Sequence, residues 1–199
     1  MIKVFIDGQE GTTGLKINER FAGRNDICLL RIKDELRKDA DARAELINES
    51  DVTFLCLPDE AARQAVTLAT SNKVKIIDAS TAHRTNAAWA YGFPELSSEF
   101  ENKIKSSKRV AVPGCHASGF CSIVYPLVSG GIIKGDYPLV CYSLTGYSGG
   151  GKKMIAEYES GERAAEFDAP RQYALTQEHK HLAEIQYVCG LDQNRYLRP

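Results

Sequence analysis

One cysteine, two histidines and a set of spaced glycines carry the chemistry this sequence offers. Cys115 stands in Ala111-Val112-Pro113-Gly114-Cys115-His116-Ala117-Ser118-Gly119, where a Pro-Gly turn precedes a run that reads as a helix. A thiol is a nucleophile only as thiolate, and the free N–H groups and dipole of a helix N-terminus lower a thiol's pKa toward working pH. A buried structural cysteine is the competing reading of any free cysteine, so the elements around Cys115 must decide between the two.

Two of the four histidines lie two residues apart in Thr176-Gln177-Glu178-His179-Lys180-His181-Leu182-Ala183-Glu184-Ile185, at an expected helix start. An HxH pair can bind a metal, but no third ligand of suitable spacing accompanies it, and no metal is expected. A histidine that carries a proton for chemistry at Cys115 is the more economical reading, because its pKa lies near neutrality.

The glycines come first in the chain. Ile2-Lys3-Val4-Phe5-Ile6 reads as a buried strand, and Asp7-Gly8-Gln9-Glu10-Gly11-Thr12-Thr13-Gly14-Leu15 leads from it into a helical pattern that runs to about Phe21. Gly8, Gly11 and Gly14 form GxxGxxG, in which absent side chains let backbone N–H groups approach a pyrophosphate at a helix N-terminus. The spacing alone is weak, but its place after the first strand points to a dinucleotide site. Arg31 and Lys33 stand at the end of the second strand, Ile27-Cys28-Leu29-Leu30. A cation there suits a 2′-phosphate, which points to NADP, although Asp34 and Glu35 are close and a solvated charged loop would look the same.

The elements that must position these groups alternate. A surface helix is expected over 34–49, a strand from Asp51 to Leu57, a helix from Pro58 to about Thr70 and a strand over Val74–Asp78. This order predicts a Rossmann-type, doubly wound parallel α/β sheet. The loop Asp78-Ala79-Ser80-Thr81-Ala82-His83-Arg84 follows a strand's C-terminal end, where ligands bind in such sheets, and Arg84 could hold an anionic group or a structural salt bridge. Tyr91 to Leu96 is rich in turn formers, and Arg109–Val112 is a further short strand leading to Cys115. Beyond it a helix is expected from about His116 to Val128, broken or kinked at Pro126, and then a strand over Pro138–Leu144. The glycine-rich Thr145–Lys152 is expected to be a flexible loop that permits close approach of a ligand or partner chain, and it lacks the order of a P-loop. The chain therefore divides into a nucleotide domain over 1–113 and an α+β catalytic and dimerisation domain over 114–199.

Composition excludes several classes. With 43% hydrophobic and 26% charged residues, a net charge of -1 and no basic stripe, the chain is an ordinary globular protein and a poor candidate for nucleic-acid binding. Six cysteines without a CxxC pair read as reduced thiols. No charged leader precedes the first strand and no apolar run reaches the ~18 residues of a membrane span, so a cytoplasmic protein without a membrane partner is expected.

Taken together, the GxxGxxG entry, Asp78-Ala79-Ser80, Tyr91 to Leu96, Pro113-Gly114-Cys115, Gly146-Tyr147-Ser148-Gly149 and His179 to Ile185 resemble the shorter form of the N-acetyl-γ-glutamyl-phosphate reductases of arginine biosynthesis. The wider group, with aspartate-semialdehyde and glyceraldehyde-3-phosphate dehydrogenases, shares a two-domain plan and cysteine chemistry. The resemblance implies Cys115 as nucleophile and His181, or else His179, as acid/base. It further implies Gly8, Gly11, Thr12, Thr13, Gly14, Arg31, Ser148 and Gly149 around NADP, and Ser80, Arg84, His116 and Ser118 around an acyl-phosphate substrate. The implied reaction is NADPH-dependent reduction through a cysteine thioester in a homo-oligomer. Where the family often has proline before the acid of the histidine segment, Ala183 precedes Glu184 here. Family members continue past the equivalent of Pro199 with further strands and a terminal helix, so the catalytic domain is expected to be either incomplete at its C-terminus or a shortened fold. The alternatives are a related reductase of aspartyl or aminoadipyl phosphate and a non-catalytic NADP-binding regulator.

Overall fold

The computed structural model describes residues 1–172, 175–176 and 178–192. Gln177 of the histidine segment and the last part of the expected 114–199 domain, residues 193–199, lie outside them.

Six parallel strands form one sheet in the order β2-β1-β3-β4-β6-β5. They are β1 (Ile2–Asp7), β2 (Ile27–Leu30), β3 (Val52–Leu55), β4 (Lys75–Asp78), β5 (Ala90–Tyr91) and β6 (Arg109–Ala111). The helices between them are α1 (Thr12–Phe21), α2 (Ala40–Glu49), α3 (Asp59–Leu68) and α4 (Ser98–Ser106), followed by α5 (Cys115–Ser129), α6 (Gly151–Glu159) and α7 (His181–Cys189). Successive strand residues face opposite sides of a sheet. In β3, Thr53 and Leu55 are fully buried and Leu55 joins a core with Phe5, Ile76, Ile47 of α2 and Ala62 and Ala65 of α3. Phe54 turns the other way, and its ring lies 5.7 Å from that of Phe21 on α1. Helices thus cover both faces, as the doubly wound reading requires.

A second core holds the later helices to the far edge of the sheet. Ala117, Phe120, Cys121 and Val124 of α5 pack with Ile185, Val188 and Cys189 of α7 and with Tyr91 of β5. All six cysteines are free, and the Sγ atoms of Cys121 and Cys189 lie 3.5 Å apart within this core.

Several expectations are corrected. The 34–49 helix is a 3-10 turn at Asp34–Leu36 and then α2, which starts where the Asp39 side chain accepts the Ala42 N–H at 2.8 Å. The turn-rich stretch from Tyr91 contains the end of β5, and α4 follows it, capped by the Ser97 side chain on Phe100 N–H. Pro126 lies inside α5, which continues to Ser129. Pro138–Leu144 is not a strand: Val140, Tyr142 and Leu144 are more than 80% exposed. Alternating apolar residues make a strand only beside an open sheet edge, and no described strand pairs with this segment. The glycine-rich stretch is a 3-10 turn, Tyr147–Gly150, that runs into α6.

Candidate functional site

Two strand–glycine–helix units open at the carboxyl end of the sheet. The first is β1, the glycine loop and α1. Gly8 has φ +91°, and a Cβ there would lie 2.3 Å from the Cys56 carbonyl oxygen. A Cβ on Gly14 would lie 2.4 Å from Gly8 O, so the helix can close on its own loop only as glycine. The N-cap Gly11 has no side chain to cap α1, and the first turn holds no acid, so its leading N–H groups are suited to an anion.

Thr12, Thr13, Lys16, Ile17 and Arg20 of α1 face Ser148 and Gly149 of the 3-10 turn across an open cleft of about 260 Å³. Four of the expected cofactor residues, Thr12, Thr13, Ser148 and Gly149, therefore meet around one space although more than a hundred residues separate the pairs in sequence. Lys16 and Arg20 were not singled out by sequence reading. Their signal is the i, i+4 spacing that puts two cations on one face of α1. Arg31 is exposed one residue past β2, and Gln9 of the glycine loop reaches the neighbouring Ile32 carbonyl at 3.4 Å. Asp7, buried at the end of β1, accepts from Arg43 of α2 at 2.8 and 3.1 Å; burial pushes its carboxyl up against the pull of that guanidinium.

The second unit is β6, Pro113-Gly114 and α5. Gly114 is the N-cap residue and Cys115, exposed, is the first residue of the helix. Gly114, the N-cap, has no side chain to cap this helix, and no acid lies in its first turn. A Cβ on Gly114 would meet His181 Nε2 at 2.3 Å and Arg84 Nη1 at 2.6 Å. The missing side chain lets an imidazole and a guanidinium lie directly against the backbone that precedes the thiol.

Glu184, 1% exposed, ties these pieces together. Its Oε1 accepts the Gly114 N–H at 2.8 Å and the Tyr91 O–H at 2.7 Å, and its Oε2 accepts Arg84 Nη1 at 3.0 Å. Arg84 Nη2 donates to the Ala79 carbonyl at 3.1 Å, and its buried Nε has no hydrogen-bond partner among the described residues. Burial first, then Glu184, pushes the Tyr91 phenol well above its ordinary range. Glu184 and Tyr91 were not expected as site residues, although both lie in segments that carry the family resemblance. Glu184 also stands one helical turn after His181, on the same face.

Three imidazoles gather beside the cysteine turn. The ring centroids of His179 and His181 lie 4.5 Å apart, and His116 lies 5.7 and 5.8 Å from them. Burial, followed by the adjoining His179, Arg84, His116 and Lys180, pushes the His181 imidazole down from 6.5 to about 4. His179 is also lowered, by burial and then by His116 and Lys180, with Glu184 opposing. Both imidazoles are thereby neutral at pH 7, the form that can accept a proton, and weaker bases than a free histidine. His116 Nδ1 pairs with Ser143 Oγ at 2.7 Å, and Ser118 Oγ donates to the Gly114 carbonyl at 2.9 Å. Ser80 Oγ donates to the buried Asp78 carboxylate at 2.7 Å, which also holds His83 Nδ1 at 2.6 Å. Cys115, His116, Ser118, His179, His181 and Arg84 thus assemble around one turn. Ser80 sits in the same loop as Arg84, turned toward Asp78.

Among the described residues no group of three His, Cys, Asp or Glu side chains is arranged to hold a metal, and no helix is long and apolar enough to cross a membrane.

Comparison with known proteins matches residues 3–105 to the family model "Semialdehyde dehydrogenase, NAD binding domain" and residues 115–197 to "Semialdehyde dehydrogenase, dimerisation domain". The chain is 48% identical over 198 residues to N-acetyl-gamma-glutamyl-phosphate reductase of Chelativorans sp. (strain BNC1), covering 99% of this chain and 63% of that protein. It is 44% identical over 198 residues to the protein of the same name from Mesorhizobium japonicum, with the same coverage. The chain thus spans about 63% of the length of these curated relatives. Aspartate semialdehyde dehydrogenase from Francisella tularensis superposes with a TM-score of 0.63 over all of this chain and 70% of that one, at 11% identity, a likeness of fold. The chain belongs to the semialdehyde dehydrogenase family.

Proposed function

We propose that this chain carries the nucleotide site and the nucleophile of a reductase that converts N-acetyl-γ-glutamyl phosphate to its semialdehyde. The observation that carries the reading is the cysteine turn: an exposed thiol at the first residue of α5, with His181 Nε2 packed against the preceding glycine. The relatives that share 44–48% of the sequence bear that reductase name, which supports the substrate.

In this mechanism His181, neutral at pH 7, takes the proton as the Cys115 sulfur attacks the acyl-phosphate carbon. The C–O bond to phosphate breaks, phosphate leaves with the bonding electron pair, and Cys115 holds the acyl group as a thioester. The N–H groups of the first turn of α5, which the N-cap glycine has no side chain to cap, are available to the developing oxyanion. After reduction, the thiohemiacetal on Cys115 loses its hydroxyl proton, the C–S bond breaks and the aldehyde departs. Histidine mediates that proton as well. Arg84, His116 and Ser118 border the turn and form a setting for an anionic substrate, with Ser80 in the adjoining loop.

A reduced nicotinamide dinucleotide supplies hydride when bound. The glycine loop fits such a group: a Cβ at Gly8 or Gly14 would strike backbone oxygen, and α1 presents uncapped N–H groups beside Thr12 and Thr13. Lys16, Arg20, Ser148 and Gly149 complete the cleft. Arg31, exposed just past β2, supports NADPH rather than NADH. A homo-oligomer in the cytoplasm accords with this role.

The test is nucleotide oxidation and phosphate release with purified protein. N-acetyl-γ-glutamyl phosphate should be turned over with NADPH in preference to NADH, and β-aspartyl phosphate should not. Turnover of the aspartyl compound alone would replace the substrate, and equal use of NADH would remove the role of Arg31.

A further inference from the structure

The three hydrogen bonds of Glu184 divide cleanly between its two oxygens. Oε1 takes the Gly114 N–H and the Tyr91 O–H, one fixing the N-cap of α5 and the other joining α7 to β5. Among the described residues Oε2 takes only Arg84, whose Nη1 lies at the edge of the same glycine. Glu184 is 1% exposed and Arg84 7% exposed, so water screens neither charge well. Arg84 would remain near the turn without Glu184, because Nη2 also holds the Ala79 carbonyl.

We propose that Glu184 is a positioning residue with two separable tasks: Oε1 fixes the turn that presents Cys115, and Oε2 offsets part of the charge that Arg84 brings against Gly114, the residue before that thiol. This rests on the reading of Cys115 as nucleophile and His181 as its proton carrier. A purely structural acid would need only to fill its hydrogen bonds. Here the pairing sets the charge at the turn, where a bare guanidinium would favour thiolate and oppose a protonated imidazole. The other titratable and charged groups facing the turn are His116 on α5 and His179, Lys180 and His181 at the start of α7.

Glu184→Gln separates the tasks. The amide oxygen can still accept from Gly114 and Tyr91, while the amide nitrogen is a second donor facing Arg84. The readout is the rate at which iodoacetamide, a neutral reagent, alkylates Cys115 at a single near-neutral pH, followed on the peptide that contains residue 115. Cys115 is exposed, so the rate reports thiolate content rather than access. Glu184→Gln should react roughly threefold or more faster than the parent, Arg84→Met slower by a similar factor, and the double variant near the parental rate. The opposite signs of the two single variants are what a loosened structure would not produce, and Arg84→Met gives a reading even where Glu184→Gln folds poorly. Equal rates in all variants, or both singles moving in the same direction, would overturn the proposal. The alkylation needs neither substrate nor nucleotide. A parent that turns over no acyl phosphate would refute the proposed reaction and leave this measurement intact.

Discussion

The two glycine turns at the top of the sheet use the same device for different ends. At Gly14 the absent side chain is replaced by the chain's own loop backbone, Gly8 O, so the turn is closed by residues six apart. At Gly114 the space is filled by Arg84, which follows β4, and by His181 of α7. The first unit is a local structure that leaves its helix N-terminus open to a ligand. The second is assembled from three distant segments, and it brings a guanidinium and an imidazole to its helix N-terminus. A binding turn needs backbone N–H groups, which any glycine-rich βα turn can offer, whereas a nucleophile needs neighbours that only tertiary packing supplies.

Paired alanine substitutions test this difference most strongly. Gly114→Ala places Cβ within 2.6 Å of side-chain ends that can swing aside. The fold should lose only about 1–3 kcal/mol, while turnover should fall about a hundredfold as His181 and Arg84 are displaced. Gly14→Ala strikes the backbone, with Gly8 O at 2.4 Å and Gln9 Cα at 2.9 Å, which cannot rotate away. It should weaken NADPH binding about tenfold, one tenfold step being ~1.4 kcal/mol, with little change in alkylation of Cys115. Fluorescence titration of NADPH and denaturant unfolding separate the outcomes. If Gly114→Ala weakens nucleotide as much as Gly14→Ala does, the two turns are not distinct in function.

A smaller effect sharpens the contrast through pH. Because the folded protein holds His181 at about 4 and the unfolded chain titrates near 6.5, the unfolded state binds the proton first as pH falls. The stability associated with neutral His181 is fully present above 6.5 and is lost progressively toward about 4. Asp7 at the other turn acts with the opposite sign: burial raises its carboxyl, so the folded state gains there as acid is added. His181→Asn should flatten the decline in unfolding midpoint between those pH values. A steeper decline in the variant would reverse the assignment.

The same division explains what was legible in the sequence. β1, the three glycines and α1 follow one another without interruption, so pattern and spacing sufficed for the sheet and its first glycine turn. The place of Cys115 at a helix start was legible for the same reason, since Pro113-Gly114 precedes an apolar helix. The partners of Glu184 lie 70, 93 and 100 residues away, and no local period marks a carboxylate that joins three segments. Pro138–Leu144 shows the reverse error: its alternation resembles a strand, but pairing depends on an edge that local sequence does not encode. Tyr147–Gly150 was read as a loop because four residues of a 3-10 turn carry no periodic signal.

The central claim is that Cys115 takes the acyl group. It is tested most directly by mixing the protein with N-acetyl-γ-glutamyl phosphate without reductant and measuring phosphate release together with the mass of each cysteine peptide. One acyl group on Cys115 per phosphate released, and neither signal in Cys115→Ala, is the predicted result. An acyl group on another residue, or phosphate release and NADPH oxidation at parental rates in Cys115→Ala, would contradict it.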